Sequence, residues 1–288
     1  MKLAGRSAIV TGASLGLGAA IAEQFAMEGA ALMLCARNPE ELEGARAHLA
    51  AAYPGVHVIA HAADVSKTAD VDSLFAVASD AFGRLDIVVN NAGVYGPMGS
   101  IDTIDWDGWA QAIAINLNGL VYCCRKAVQL MKPRRYGKII NLSGGGATNP
   151  LPGISAYAAS KAAVVRFSET LALEVKEHGI DVNAVAPGAL ATRLTDQLIA
   201  AGPDRVGANL HERMSRLAKE GGTPLSVGAS LCVYLASAES DGLTGRLIAA
   251  QWDPWPFADA VKSDIDKSDI YTLRRIVPSD RGNPWDKT

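Results

Sequence analysis

The stretch SAIVTGASLGLGAAIAEQFAMEG, residues 7–29, decides how the rest of the chain is read. A short β-branched run, a turn carrying Gly12, Gly16 and Gly18, and an apolar helix-forming segment follow one another without interruption. Gly12 permits a tight turn, Gly16 lets backbone approach a pyrophosphate, and Gly18 permits close helix packing. The free N–H groups at the helix start favour an anion. A glycine turn alone is a weak signal; strand, glycines and helix in this order point to a dinucleotide cradle rather than to a plain structural turn.

Outward from this unit the same alternation continues. SAIVTG, ALMLCA, HVIAHAAD, LDIVVNNAG, GKIINLSG, IDVNAVAPG and RLIAA read as buried strands, and segments near 17–28, 39–52, 68–82, 108–131, 156–178 and 226–237 carry helical patterns. Such alternation predicts an α/β fold, a doubly wound parallel sheet of the Rossmann type with helices on both faces. With no internal repeat and no linker, residues 1–250 read as a single domain. Residues 251–288, rich in Trp, Pro and charge, read as a C-terminal extension packed on that domain or on a neighbouring subunit. The segment from Ala156 to Val175 is apolar around most of its circumference, which predicts cover on more than one side and hence a homodimer or homotetramer.

Composition excludes several functions. The 288 residues carry 27 Lys and Arg against 30 Asp and Glu, a net charge of −3, so no basic field exists to attract nucleic acid or an anionic membrane. Four cysteines, Cys35, Cys123, Cys124 and Cys232, lie in apolar runs without C-x-x-C spacing, which suits buried thiols in a reducing compartment. No apolar leader or run approaching about 18 residues occurs, so a soluble cytoplasmic protein is expected. His48, His57, His61, His178 and His211 form no ligand pattern, and no metal site is expected.

Further motifs follow in order: Asp64-Val65, Asn90-Asn91-Ala92-Gly93, INLNG with Asn116, Tyr157-x-x-x-Lys161, and APGALAT with Pro187, Gly188, Leu190 and Thr192. Together with TGASLGLG they make the chain similar to the classical short-chain dehydrogenase/reductase family over residues 5 to about 250. The resemblance implies an NAD(P)-dependent oxidoreductase that interconverts a secondary alcohol and a ketone, both small molecules. It also implies cofactor contacts at Gly12, Ser14, Leu15, Gly16, Leu17, Gly18, Arg37, Asp64, Val65, Asn91, Ala92, Gly93, Tyr157, Lys161, Pro187, Gly188, Leu190 and Thr192. The catalytic set it implies is Asn116, Ser143, Tyr157 and Lys161, with Asn116 holding a water that relays protons to the lysine.

Chemistry accounts for the Tyr–Lys spacing. Hydride transfer to a carbonyl carbon leaves charge on oxygen, so a proton donor must stand beside that oxygen. A phenol serves if a nearby ammonium draws its pKa from about 10 toward neutrality, and Lys161 lies one helical turn beyond Tyr157. Arg37 ends the second strand where an Asp or Glu would bind the ribose 2′-hydroxyl of NAD, and an Arg there suits the 2′-phosphate of NADP. A solvated helix-entry Arg is the plainer alternative, and Leu15 stands where NADP-using members often carry a basic residue, so NAD remains possible.

A second departure precedes the tyrosine. The family's serine stands thirteen residues before the Tyr, which here is Gly144, whereas Ser143 is one residue early. Either the glycine-rich loop delivers Ser143 normally, or a Gly144–Gly146 N–H, Ser155 or Thr148 polarises the substrate oxygen. A dinucleotide-binding sensor or scaffold that has lost turnover is the alternative function. Arg193, Arg205, Arg213 and Arg216, in the segment expected to form a lid, read as a solvated face, and Trp252 and Trp255 as anchors of the tail.

Overall fold

The computed structural model describes residues 1–283 and 285. Seven parallel strands, β1 Ser7–Thr11, β2 Ala31–Ala36, β3 Val58–Ala62, β4 Ile87–Asn90, β5 Gly137–Leu142, β6 Ile180–Ala186 and β7 Leu247–Ala249, form one sheet in the order β3-β2-β1-β4-β5-β6-β7. The order reverses between β1 and β4, which opens a crevice beyond their carboxyl ends. Both faces of the sheet are covered, so its strands are apolar on both sides, and β5 is buried at every position.

Alternation along the strands separates two cores. Ala8, Val10, Leu32, Leu34, Ile87 and Val89 face α1 (Gly16–Met27), α2 (Pro39–Ala52) and α10 (Leu225–Ala236), with Ile21, Phe25 and Leu42 among their neighbours. Ile9, Met33, Val88 and Ile139 face α3 (Thr68–Phe82), α5 (Leu120–Met131) and α6 (Ser155–Val175), whose Phe75, Cys123 and Val164 fill that side. All four cysteines are buried free thiols, and burial pushes Cys35, Cys124 and Cys232 up to about 12.

The helix expected over 108–131 is broken. Regular α4 (Trp106–Ile113) passes into a π-helical turn, Ala114–Gly119, before α5 begins. Between β6 and α10 the chain forms α7 (Arg193–Ala201), α8 (Pro203–Val206) and α9 (Ala208–Glu220), which lie over the carboxyl end of the sheet.

The tail is more regular than its composition suggests, with a helix α11 at Asp259–Asp266. Phe257 is buried against Tyr234 and Tyr271, and Trp255 donates from Nε1 to the Ala250 carbonyl at 2.9 Å. Trp252, by contrast, is 76% exposed, so only one of the two tryptophans anchors. The tail also covers the outer edge of β7, where the Leu247 N–H donates to the Tyr271 carbonyl at 2.8 Å. Phe257→Ala should therefore cost about 3–5 kcal/mol of stability and raise hydrogen exchange at the Leu247 amide; an unchanged exchange rate would mean the edge is held without that ring.

Candidate active site

Three loops meet at the crevice. Gly12 takes a φ of +65°, and Gly18 is so close to the Gly12 carbonyl that a β-carbon on it would collide with that oxygen. Asn91 donates from Nδ2 to the carbonyls of Thr11 (2.9 Å) and Gly12 (3.1 Å), while the Thr11 hydroxyl accepts from the N–H groups of Asn91 and Ala92 at 3.0 and 3.1 Å. The glycine turn and the Asn90–Gly93 loop are thus one hydrogen-bonded body. It leaves bare backbone facing a cleft of about 230 Å³, at glycines where a β-carbon would strike the neighbouring loop, and this cradle fits a dinucleotide.

Of the residues expected at a cofactor, Gly12, Ser14, Arg37, Asp64, Val65, Ala92 and Gly93 line this cleft. Thr192 stands against the turn, its methyl 3.7 Å from where a Gly16 β-carbon would lie. The remaining positions fall outside the wall. Leu17 is buried against Gly228 of α10, Pro187 packs on the same glycine, and Leu15 is 46% exposed. Gly188 lies beside Thr223, and the Leu190 carbonyl accepts from the Thr195 hydroxyl at 2.5 Å. Cys35, Ala36, Asn38, Glu41, Ala63, Val94, Ile115 and Arg193 line the cleft without having been expected there. Glu41 has the appearance of an ordinary first-turn acid, and Arg193 of a lid residue, so neither carried a local signal.

At the outer end of the cleft, burial raises the Asp64 carboxyl. Hydrogen bonds from the Ser66 hydroxyl and N–H, with the charges of Arg37 and Lys67, outweigh that effect and hold it below its ordinary range. At the inner end stand the Tyr–Lys pair and Asn116. The π-helical turn buries Asn116 completely; its Oδ1 accepts from Val94 N–H at 2.8 Å, and its Nδ2 donates to the Val94 carbonyl (2.8 Å) and the Ser160 hydroxyl (3.0 Å). Gly119 closes the same turn so near β3's end that a β-carbon would lie 2.5 Å from the Val65 carbonyl.

Tyr157 and Lys161 share one face of α6, with the Lys161 Nζ 5.6 Å from the phenol ring centre. That amine also lies 3.5 Å from where a Gly93 β-carbon would stand, so it borders the cleft, and it donates to the Leu142 carbonyl at 2.8 Å. Burial lowers the ammonium to about 8 and pushes the Tyr157 phenol well above its ordinary range, with the neighbouring Tyr95 adding to the rise. The spacing thus brings the amine to the Tyr157 ring, while burial sets the direction of the phenol's shift. Lys161 is buried and Tyr157 half-buried, and the lysine is aimed at a carbonyl rather than at the phenolic oxygen.

Ser143 departs from its expected place. Its hydroxyl is buried and donates to the Lys161 carbonyl at 3.2 Å, not toward Tyr157. The residue that meets the Tyr157 hydroxyl is Gly144, where a β-carbon would collide with it. Thr148 is exposed and accepts from Asn149, and Ser155 accepts from Trp109 Nε1 at 3.1 Å. Tyr95 meets the Tyr157 ring edge-on at 4.7 Å. Over this pair the lid presents Leu198, Val206 and Met214, which pack with Ile154, Leu151 and Met98. Among the described residues no group of three or more His, Cys, Asp or Glu could hold a metal ion, and no helix is long and apolar enough to cross a membrane.

A reversing parallel sheet, a glycine cradle and a Tyr–Lys pair beside one cleft define an oxidoreductase of the Rossmann type. The chain belongs to the short chain dehydrogenase family, whose model matches residues 6–201. It is 40% identical over 248 residues to 3beta-hydroxysteroid dehydrogenase 1 of Eggerthella lenta, covering 85% of this chain and 92% of that one. Among solved structures it resembles an NAD+-bound xylitol dehydrogenase (TM-score 0.79, 26% identity, 86% of this chain and 98% of that one). It also resembles YwfH, an NADPH dependent reductase involved in bacilysin biosynthesis (TM-score 0.77, 25% identity, 88% and 99%).

Burial of Lys161 has a pH signature. Its pKa falls from 10.5 to about 8 on folding, so the charged form is penalised below about 8, and the penalty vanishes once the unfolded chain also loses the proton above 10.5. Lys161→Met should raise the thermal midpoint at pH 7, and the gain should shrink as pH rises from 8 toward 10.5. A gain independent of pH would show that the ammonium is not the source of the cost.

Proposed function

We propose that the protein is an NADP-dependent dehydrogenase/reductase that interconverts a secondary alcohol and a ketone, with Tyr157 as acid and base. The observation that carries this reading is the Lys161 amine lying between the Tyr157 ring and Gly93, at the inner end of a cleft whose outer end holds Arg37. Bound nicotinamide supplies the hydride acceptor or donor. Gly12, Gly16 and Gly18 admit the pyrophosphate, and Arg37 takes the 2′-phosphate.

Tyr157 holds its proton on the phenolic oxygen, as its raised pKa requires, and gives it to the substrate oxygen as charge develops there. Lys161, near 8, is able to return a proton through Asn116 and its water. Because the Ser143 hydroxyl is committed to Lys161, the second donor to the substrate oxygen is the Tyr95 phenol. The apolar underside of the lid suits a hydrophobic substrate body, in keeping with the hydroxysteroid dehydrogenase relative. Leu173, 78% exposed on α6, supports assembly into a dimer or tetramer, and the four buried thiols suit the cytoplasm. A sensor that merely binds nucleotide would have no use for the Tyr–Lys–Asn arrangement beside the cleft.

The test is a screen of secondary alcohols and ketones with NADP(H) and NAD(H), followed at the reduced-nicotinamide absorbance band. No turnover on any substrate would favour the sensor. On a substrate that does turn over, Tyr157→Phe should abolish activity, Tyr95→Phe should slow it about 10²–10³-fold, and Ser143→Ala should leave it within a few-fold. A large loss with Ser143→Ala alone would return the donor role to that serine. Arg37→Asp should weaken NADP binding by about 1.5–3 kcal/mol and shift preference to NAD; an unchanged preference would make Arg37 a surface residue only.

A further inference from the structure

Two cations stand at the outer end of the cleft: Arg37 at the end of β2, and Arg193 in the first turn of α7. The Arg193 guanidinium reaches across to Glu41 in the first turn of α2, Nη2 to Oε1 at 3.2 Å. This clasp joins the lid to the nucleotide-facing helix, yet both partners remain in contact with water, the Arg193 side chain 67% exposed and Glu41 30%. An exposed pair of that kind holds weakly. It lies, moreover, across a cradle suited to a ligand with several phosphate charges, and a phosphate offers a guanidinium a stronger forked partner than one carboxylate does.

We infer that Arg193 is a phosphate-binding residue for the dinucleotide, kept in place by Glu41 while the cleft is free. Thr192, the preceding residue, already abuts the glycine turn, and Arg193 shares the cleft wall with Arg37. Glu41 has the opposite effect: its carboxylate lies in the same wall as Arg37 and repels phosphate unless Arg193 offsets it. The first residue of the lid is then itself a cofactor contact, which ties the lid's position over Tyr157 to occupancy of the nucleotide site. This inference rests on the dinucleotide reading of the cleft, but not on the choice of NADP over NAD.

Dissociation constants of NADPH and NADH, measured by nicotinamide fluorescence without substrate, test it. Arg193→Ala should weaken binding about tenfold or more, whereas Glu41→Gln should leave it unchanged or tighten it about two- to fivefold. The double variant should recover part of the affinity lost in Arg193→Ala, because the Glu41 carboxylate then no longer opposes the phosphate. A mere structural clasp predicts the contrary, since breaking it from either side has one effect; equal weakening by both variants would overturn the inference, and so would an unaffected Arg193→Ala. Loss confined to NADPH would assign Arg193 to the 2′-phosphate, and equal loss for NADH to the pyrophosphate. If the wild-type protein binds neither nucleotide, the dinucleotide reading fails before Arg193 is at issue.

Discussion

The start of α1 runs so close to the end of β1 that position 18 has no room for a side-chain carbon beside the Gly12 carbonyl. From this contact much else follows. It fixes the path of the turn, aims the helix N-terminus into the crevice, and leaves the carbonyls of Thr11 and Gly12 facing Asn91, which binds both. The β4 loop is thereby tied to the β1 loop at the place where the sheet reverses direction. A nucleotide cradle here is a matter of backbone geometry, and its side-chain requirements are mostly that there be none.

The inner end of the cleft obeys a different rule, because it is made of buried polar groups that must be satisfied one by one. Asn90 donates to Asn141 at 2.9 Å, and Asn141 donates to the Ser168 hydroxyl on α6 at 2.9 Å, which locks the helix bearing Tyr157 and Lys161 onto β4 and β5. Asn116 performs the same service between the Val94 backbone and Ser160. Lys161 alone is left with a charge in a low-dielectric place and a carbonyl for company. A core optimised for stability alone would not keep a cation there.

How much of this could be read in advance depended on the range of the interaction. Strand runs such as IVTG and IINL and the glycine turn are local patterns, and a sheet covered on both faces makes them conspicuous. Tyr157 and Lys161 were legible because helical spacing alone puts them on one face. The π-helical turn at Ala114–Gly119 was not, because one extra residue in a turn leaves no mark on an apolar pattern. The side to which Ser143 turns was open in the sequence: it follows directly on β5, where successive side chains point to opposite sides, so a shift of one residue from position 144 reverses the face. Glu41 and Arg193 lie 152 residues apart, and nothing local announces that they meet.

The two halves of the site therefore differ in what a sequence can say about them. The nucleotide half is specified by absent side chains and short-range hydrogen bonds, which recur wherever the same backbone path is needed. The other half is specified by which apolar residues of α7, α8 and α9 come down on Tyr95 and Tyr157, and Leu198, Val206 and Met214 would serve equally well as ordinary core residues. Their chemistry carries no label because burial asks only for apolar volume. Arg193 lies at the boundary of the two halves, in the lid by position and in the cleft by contact, and its pair with Glu41 ties the lid to the helix that follows β2.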